Sequence, residues 1–237
     1  MKVLESAALP SSNCTLCPRL AAFRQVQREA HSEWFNAPVP SFGDDAAELL
    51  IVGLAPGLKG ANRTGRPFTG DYAGGLLYQT LQKFGFAEGV YDARPDDGMV
   101  LRRARITNAV RCVPPQNKPK PAEIATCRRF LASEITGMSQ LRAILALGSI
   151  AHQAVLEALG LRRRRFPFAH GSLHRLRCNT LLLADSYHCS RLNTNTGKLT
   201  VAMFESVFSS LARWLDQVTG APHLCPTPAR GGMGEPK

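Results

Sequence analysis

Residues 53–71 read GLAPGLKGANRTGRPFTGD, with glycine at positions 53, 57, 60, 65 and 70 and proline at 56 and 67. Neither a helix nor a strand tolerates that density of breakers, so the stretch is a loop. It follows Leu49-Leu50-Ile51-Val52, an apolar run that reads as a buried strand. Such a long loop inside a compact domain is uncommon and usually functional. Glycine has no Cβ and lets a backbone approach a ligand closely. In open α/β sheets, ligands bind beyond the carboxyl ends of the strands. The loop also supplies Asn62, Arg63, Thr64, Arg66, Phe68, Thr69 and Asp71, which are donors, a ring to stack on and a carboxylate. Its spacing is neither GxGxxG nor GxxxxGK(S/T), so the dinucleotide and P-loop readings are not supported.

The apolar pattern recurs downstream. Strands are expected at 48–54, 104–111, 142–147 and 180–184. Helices are expected at about 13–30, 72–84, from Pro121, 149–159 and 199–218, and the segments 31–47, 85–102 and 161–180 read as connectors. Strands separated by helices predict an α/β fold, a three-layer α/β/α sandwich around a central four-stranded parallel sheet. A single domain over 1–219 follows, because 237 residues are enough for one large core. Residues 1–12 read as frayed, and the tail 220–237, with four prolines and four glycines, reads as disordered. No run of 18 apolar residues exists, so no membrane helix is expected. The N-terminal MKVLESAALPSSNC lacks the apolar core of a signal peptide, which predicts a cytoplasmic protein.

Two features bear on partners. The net charge is +11, from 29 Lys+Arg against 18 Asp+Glu. That excess suits a polyanion, most simply nucleic acid, although a protein that is merely basic and soluble would show it too. The seven cysteines are an odd number without an export signal, which argues against a disulfide framework. Cys14 and Cys17 form a C-x2-C pair, with Cys112 and Cys127 farther on. A zinc ribbon more often offers a second tight pair. One pair plus two dispersed cysteines, with Pro18 after Cys17, suits an iron–sulfur cluster at least as well. Spacing leaves a [4Fe–4S] cluster, zinc and free thiols all open. Cys178, Cys189 and Cys225 read as ordinary buried or tail residues.

These pieces together resemble the uracil-DNA glycosylase superfamily, and most closely its iron–sulfur branch, family 5 or type B. The resembling segments are CTLCPRL from Cys14, the whole loop Gly53–Asp71, VRCVPPQNKPKP from Val110, Cys127, Ala-Leu-Gly at 146–148, and SYHCSRLNTNTGKLT from Ser186. They span about residues 13–218 in the family's order. Family 4 usually begins its first motif GEAPG, whereas this chain has Leu54 in place of that Glu and Asp71 at the far end. Many members carry Pro where this chain has Cys189.

The resemblance implies an enzyme that flips a damaged nucleotide out of DNA and cleaves the base from deoxyribose. Uracil is the implied base, with hypoxanthine and xanthine as further deaminated substrates. Asp71 would stabilise the cationic sugar or orient water, His188 would donate to a base carbonyl or phosphate, and Asn117 would position water or the flipped nucleotide. Phe68 would stack on the base. Backbone groups at Leu54, Ala55 and Gly57 would meet base oxygens, and Asn108 would read the base edge. Arg63, Arg164, Ser190, Arg191 and Asn193 would contact DNA, the arginine run 162–165 through phosphates. Cys14, Cys17, Cys112 and Cys127 would hold a structural [4Fe–4S] cluster, with no soluble cofactor and a monomer acting on DNA. The competing reading is a catalytically silent iron–sulfur nucleic-acid-binding module, against which the presence of both Asp71 and His188 argues.

Overall fold

The computed structural model describes residues 9–176 and 179–218. The expected disordered tail, Cys178 and Cys225 lie outside them, as do residues 1–8. In chain order the elements are α1 (Pro18–Ala30), β1 (Phe42–Gly43), β2 (Leu49–Gly53), α2 (Ala61–Thr64), α3 (Tyr72–Lys83), β3 (Ala87–Glu88), β4 (Val100–Leu101), β5 (Ala104–Asn108), α4 (Pro121–Gly137), β6 (Ala143–Leu147), α5 (Ser149–Ala158), β7 (Leu173–Leu176), β8 (Leu181–Ser186), α6 (Arg191–Asn195) and α7 (Val201–Val218).

Every residue of β2, β5, β6 and β8 is buried. These strands lie side by side in the order β5-β2-β6-β8, all parallel. Parallel strands covered on both faces need no polar alternation, which is why β2 and β6 read as unbroken apolar runs. The period of two still sorts their side chains. Leu49, Ile51 and Leu145 face α3 and α7, while Leu50, Val52, Ile144 and Ala146 face α4 and α5. The result is the expected α/β/α layering.

The sheet is wider than expected and is not purely parallel. β1 pairs antiparallel with β5 and β7 antiparallel with β8, which makes six strands in a mixed sheet. Both additions are edge strands. β1 has two residues, and β7 buries only Leu176 of its four, so neither leaves an apolar signature. The segment 85–102 likewise holds a short antiparallel ribbon, β3 with β4.

Because the four central strands are parallel, their carboxyl ends share one edge. The Gly-rich loop leaves β2 there, the Pro-rich segment leaves β5, and the run from Tyr187 leaves β8. α1 does not pack on the sheet. Its Leu20 clusters instead with Val110, Cys112, Cys127 and Phe130. No described helix is long and apolar enough to cross a membrane.

Candidate active site

A cavity of about 330 Å³ opens at that edge, at the lower end of the range for ligand sites, about 300–1,000 Å³. Its walls come from all three loops. The first contributes Leu54, Ala55, Gly57, Phe68 and Asp71, the second Asn117, and the third His188, Ser190 and Arg191, with Asn108 at the end of β5. Most of the residues proposed from sequence therefore meet in one place.

Asp71 precedes α3 as its N-cap residue, but its side chain makes no capping hydrogen bond. Solvent reaches it through the cavity mouth, while protein crowds it elsewhere. Burial pushes its carboxyl above the usual value, and the amides of Gly74 and Ala73 offset part of the rise. The carboxylate lies against glycines. A Cβ on Gly60 would stand 2.6 Å from Asp71 Oδ2, and one on Gly57 3.1 Å away. Two of the loop's glycines thus leave room for the acid.

His188 is held near pKa 4 by burial, so its ring is neutral at physiological pH. It stacks on Phe68 with ring centroids 5.7 Å apart. Phe68 takes a left-handed backbone, φ 54°, and its carbonyl accepts the Tyr91 hydroxyl at 3.1 Å. Such strain in a non-glycine residue persists only where neighbours enforce it. Gly53 underlies this wall. A Cβ there would meet Asn108 Oδ1 at 2.4 Å and the Phe68 ring at 2.7 Å. The backbones of Gln116 and Asn117 are also left-handed, both at φ 56°, which sets Asn117 exposed on the rim.

The other proposed residues divide. Asn193 does not line the cavity. Its Nδ2 donates to the His188 carbonyl at 2.8 Å and so fixes the loop. Arg191 lies over the Tyr72 ring at 5.2 Å. Arg63 lies outside the cavity, beside Phe35 and Arg94 in a separate groove. Arg164 is exposed beside the C-terminal half of α5, where its neighbour Arg163 pairs with Glu157, and it does not line the cavity. That end of α5 points away from the strand ends.

Sequence reasoning missed the braces. The guanidinium of Arg66 makes two 2.7 Å bonds to Asp97, and its Nε bonds Thr69 Oγ1 at 2.7 Å. His170 Nδ1 accepts the Tyr187 amide at 3.2 Å, and its ring stacks on Tyr187. Cys189 is fully buried, and its thiol donates to the Ala73 carbonyl at 3.5 Å. No local pattern announces the Arg66–Asp97, His170–Tyr187 and Cys189–Ala73 pairings, because each joins residues well separated in sequence.

Cys14, Cys17, Cys112 and Cys127 line one small buried space behind the Pro-rich segment. Burial pushes the Cys112 thiol up to about 12. Two of the sulfurs already accept hydrogen bonds, Cys112 from Arg24 Nη1 at 3.3 Å and Cys127 from the Arg111 amide at 3.4 Å. Arg24 is 4% exposed and its Nε is buried without a partner. A buried guanidinium among thiols calls for negative charge, which thiolates holding a metal centre would supply. Among the described residues, a set of three potential ligand atoms all within 4.8 Å of one another is formed by His152, His174 and Asp185. The His–Asp–His set is a hydrogen-bond network, with His152 Nδ1 2.7 Å from Asp185 Oδ1 and Nε2 2.9 Å from the Phe166 carbonyl.

Fold and site together define a three-layer α/β protein with an acid-and-imidazole cavity at the carboxyl ends of its parallel strands. The family model described as "Uracil DNA glycosylase superfamily" matches residues 40–212, and the chain belongs to that superfamily. Over 205 residues it is 44% identical to a type-5 uracil-DNA glycosylase of Thermus thermophilus, covering 84% of this chain and 93% of the relative. A type-5 uracil-DNA glycosylase of Mycobacterium leprae is 42% identical, with 83% and 89% covered. A type-4 uracil-DNA glycosylase of Pyrobaculum aerophilum is 33% identical over 163 residues, with 68% and 69% covered.

Proposed function

We propose that this chain is a monofunctional DNA glycosylase that excises uracil from DNA and leaves an abasic site. The observation that carries this reading is the meeting of Asp71, His188, Phe68 and Asn108 around one cavity. A duplex hides the bond to be cut, so the nucleotide must be flipped into such a pocket. As the bond between base and C1′ lengthens, positive charge grows on the sugar and negative charge on the base. Asp71 supplies the opposing anion for the sugar. Its partial desolvation strengthens that interaction, because fixed charges act more strongly where water is excluded. His188, being neutral, donates one N–H to a base oxygen without carrying a full charge into the pocket. Phe68 stacks on the base, and Asn117 steadies water or the flipped nucleotide from the rim. Arg191 and Ser190 lie where the DNA backbone enters, with Arg63 and Arg164 as more distant phosphate contacts.

The cavity wall is largely apolar and backbone, with Asn108 as the amide at the strand end and Asn117 on the rim. That composition favours several deaminated bases, hypoxanthine and xanthine beside uracil. Cys14, Cys17, Cys112 and Cys127 would hold a [4Fe–4S] cluster that clips α1 to the segment after β5 and to α4. Its contribution there is a structural cross-link. The chain acts as a cytoplasmic monomer on DNA.

A single-turnover assay on duplexes carrying uracil, hypoxanthine or xanthine, with alkali to break abasic sites, tests the activity. Cleavage of the uracil strand is expected. Protein that binds DNA but cuts none of the three would leave the silent binding module. Iron and acid-labile sulfide analysis tests the cluster, and stoichiometric zinc without iron would refute it.

A further inference from the structure

A second cavity also reaches Asp71. It measures about 680 Å³ and lies between the start of α3 and the start of α7, with Gly75, Leu76, Gln79, Tyr91 and Thr200 among its walls. Asp71 is the one described residue that lines both cavities. Asp71 therefore stands in the partition between them.

That placement matters for the order in which reactants arrive, and the argument rests on the glycosylase reading. A flipped nucleotide fills the first cavity, with its base against Phe68 and His188 and its duplex over the mouth. The attacking water must reach C1′ from the side away from the departing base. We propose that the second cavity is the port by which the hydrolytic water reaches Asp71 after the nucleotide has closed the first. Gln79, Thr194, Thr200 and the Tyr91 hydroxyl give water polar stations along the port. Tyr91 donates its own proton to the Phe68 carbonyl, so its oxygen is left to accept from water. Its hydroxyl feels the Asp71 charge, which places it within electrostatic reach of the acid.

The step balances. The water oxygen bonds to C1′ as the bond from C1′ to nitrogen breaks, and that bond's electron pair leaves with the base. One water proton passes to Asp71 and out through the port, and the released base anion takes a proton from solvent. Tyr91 is a positioning residue in this scheme, since it acts through Phe68 and the water.

Gly75 allows a direct test, because a Cβ built on it meets nothing within 4 Å. Gly75→Leu fills the port from α3, and Val201→Phe fills it from α7, so a folding failure of one variant leaves the other. Each is expected to lower the single-turnover rate about tenfold or more, equivalent to about 1.4 kcal/mol or more of barrier, with affinity for abasic-site DNA unchanged. With methanol as competing nucleophile, the ratio of methyl glycoside to hydrolysed sugar should fall in both variants, since the larger nucleophile is excluded first. A wild-type rate, an unchanged methanol ratio, or a loss of abasic-site affinity in step with the rate would overturn the port. Asp71→Asn separates the two readings. If it cuts at the wild-type rate, the role given to Asp71 fails. If it is inactive while the filled-port variants keep full rate, only the port fails.

Discussion

Asp71 holds a charge that the fold disfavours. Its carboxyl is raised above 3.8, chiefly by burial, so the folded state binds its proton more tightly than the unfolded chain does. This group's contribution to stability is therefore greatest below pH 3.8 and falls as pH rises through the folded value. Asp71→Asn should accordingly abolish most activity at pH 7.5 yet melt higher than wild type, a trade of stability for function. Calorimetry checks this, and a lower melting temperature would mean that the Ala73 and Gly74 amides outweigh burial. His188 behaves in the opposite sense on acidification. Its pKa falls from 6.5 to about 4, so the unfolded chain takes up a proton that the native ring resists. Stability should drop as pH falls from 6.5 toward 4, and a His188→Gln variant should show a shallower drop in its urea midpoint over that window. Gly60→Ala tests the space beside the acid. Its Cβ would displace Asp71 Oδ2 from 2.6 Å, and the rate should fall with little change in DNA affinity.

At the scale of elements, α4 anchors both the sheet edge and the cysteine nest. Its Glu134 is 1% exposed and accepts Arg105 Nε at 2.7 Å, while its other oxygen takes Arg111. Burial pushes the Glu134 carboxyl up, but the two guanidiniums outweigh it and hold the group below its ordinary 4.5. Stabilisation from this ion pair is present above the unfolded pKa and is lost as pH falls through the folded one. Glu134→Gln should cost about 3–5 kcal/mol, because it strands the buried Arg111, while Arg105 keeps a 2.9 Å pair with Asp45. Chemical denaturation measures it, and a loss below about 1 kcal/mol would show that water satisfies the arginines. The same Arg111 gives its amide to Cys127, so this variant should also loosen the cysteine nest.

For the whole molecule, charge sets how DNA is met. The chain carries +11, yet several of its arginines are spent internally, Arg66 on Asp97, Arg105 and Arg111 on Glu134, and Arg163 on Glu157. Arg191 stands at the cavity mouth without a carboxylate partner among the described residues. Arg191→Ala should therefore weaken binding across all sequences and reduce the salt slope by about one. Arg164→Ala, farther from the mouth, should have a smaller effect. Titration of a fluorescent duplex at several salt concentrations distinguishes them, and equal effects would place DNA along α5 as well.

The sequence by itself determined the parallel centre of this protein and the position of its working loops. Strands whose two faces meet only hydrocarbon, β2 and β6, read as apolar runs, and the stretch 53–71, read as loop from its glycines and prolines, holds one short helical turn, α2. Asp71 and His188 stood out as members of local motifs, whereas the grouping of Cys14, Cys17, Cys112 and Cys127 came from the family resemblance. Only the tertiary structure decided the rest. The edge strands β1 and β7 owe their form to a neighbour's unpaired backbone, not to their own side chains. The Arg66–Asp97 brace and the Tyr91–Phe68 bond join residues tens of positions apart, and chain order carries no trace of such contacts. The pKa values of Asp71 and His188 follow from how much protein surrounds them, which packing alone fixes.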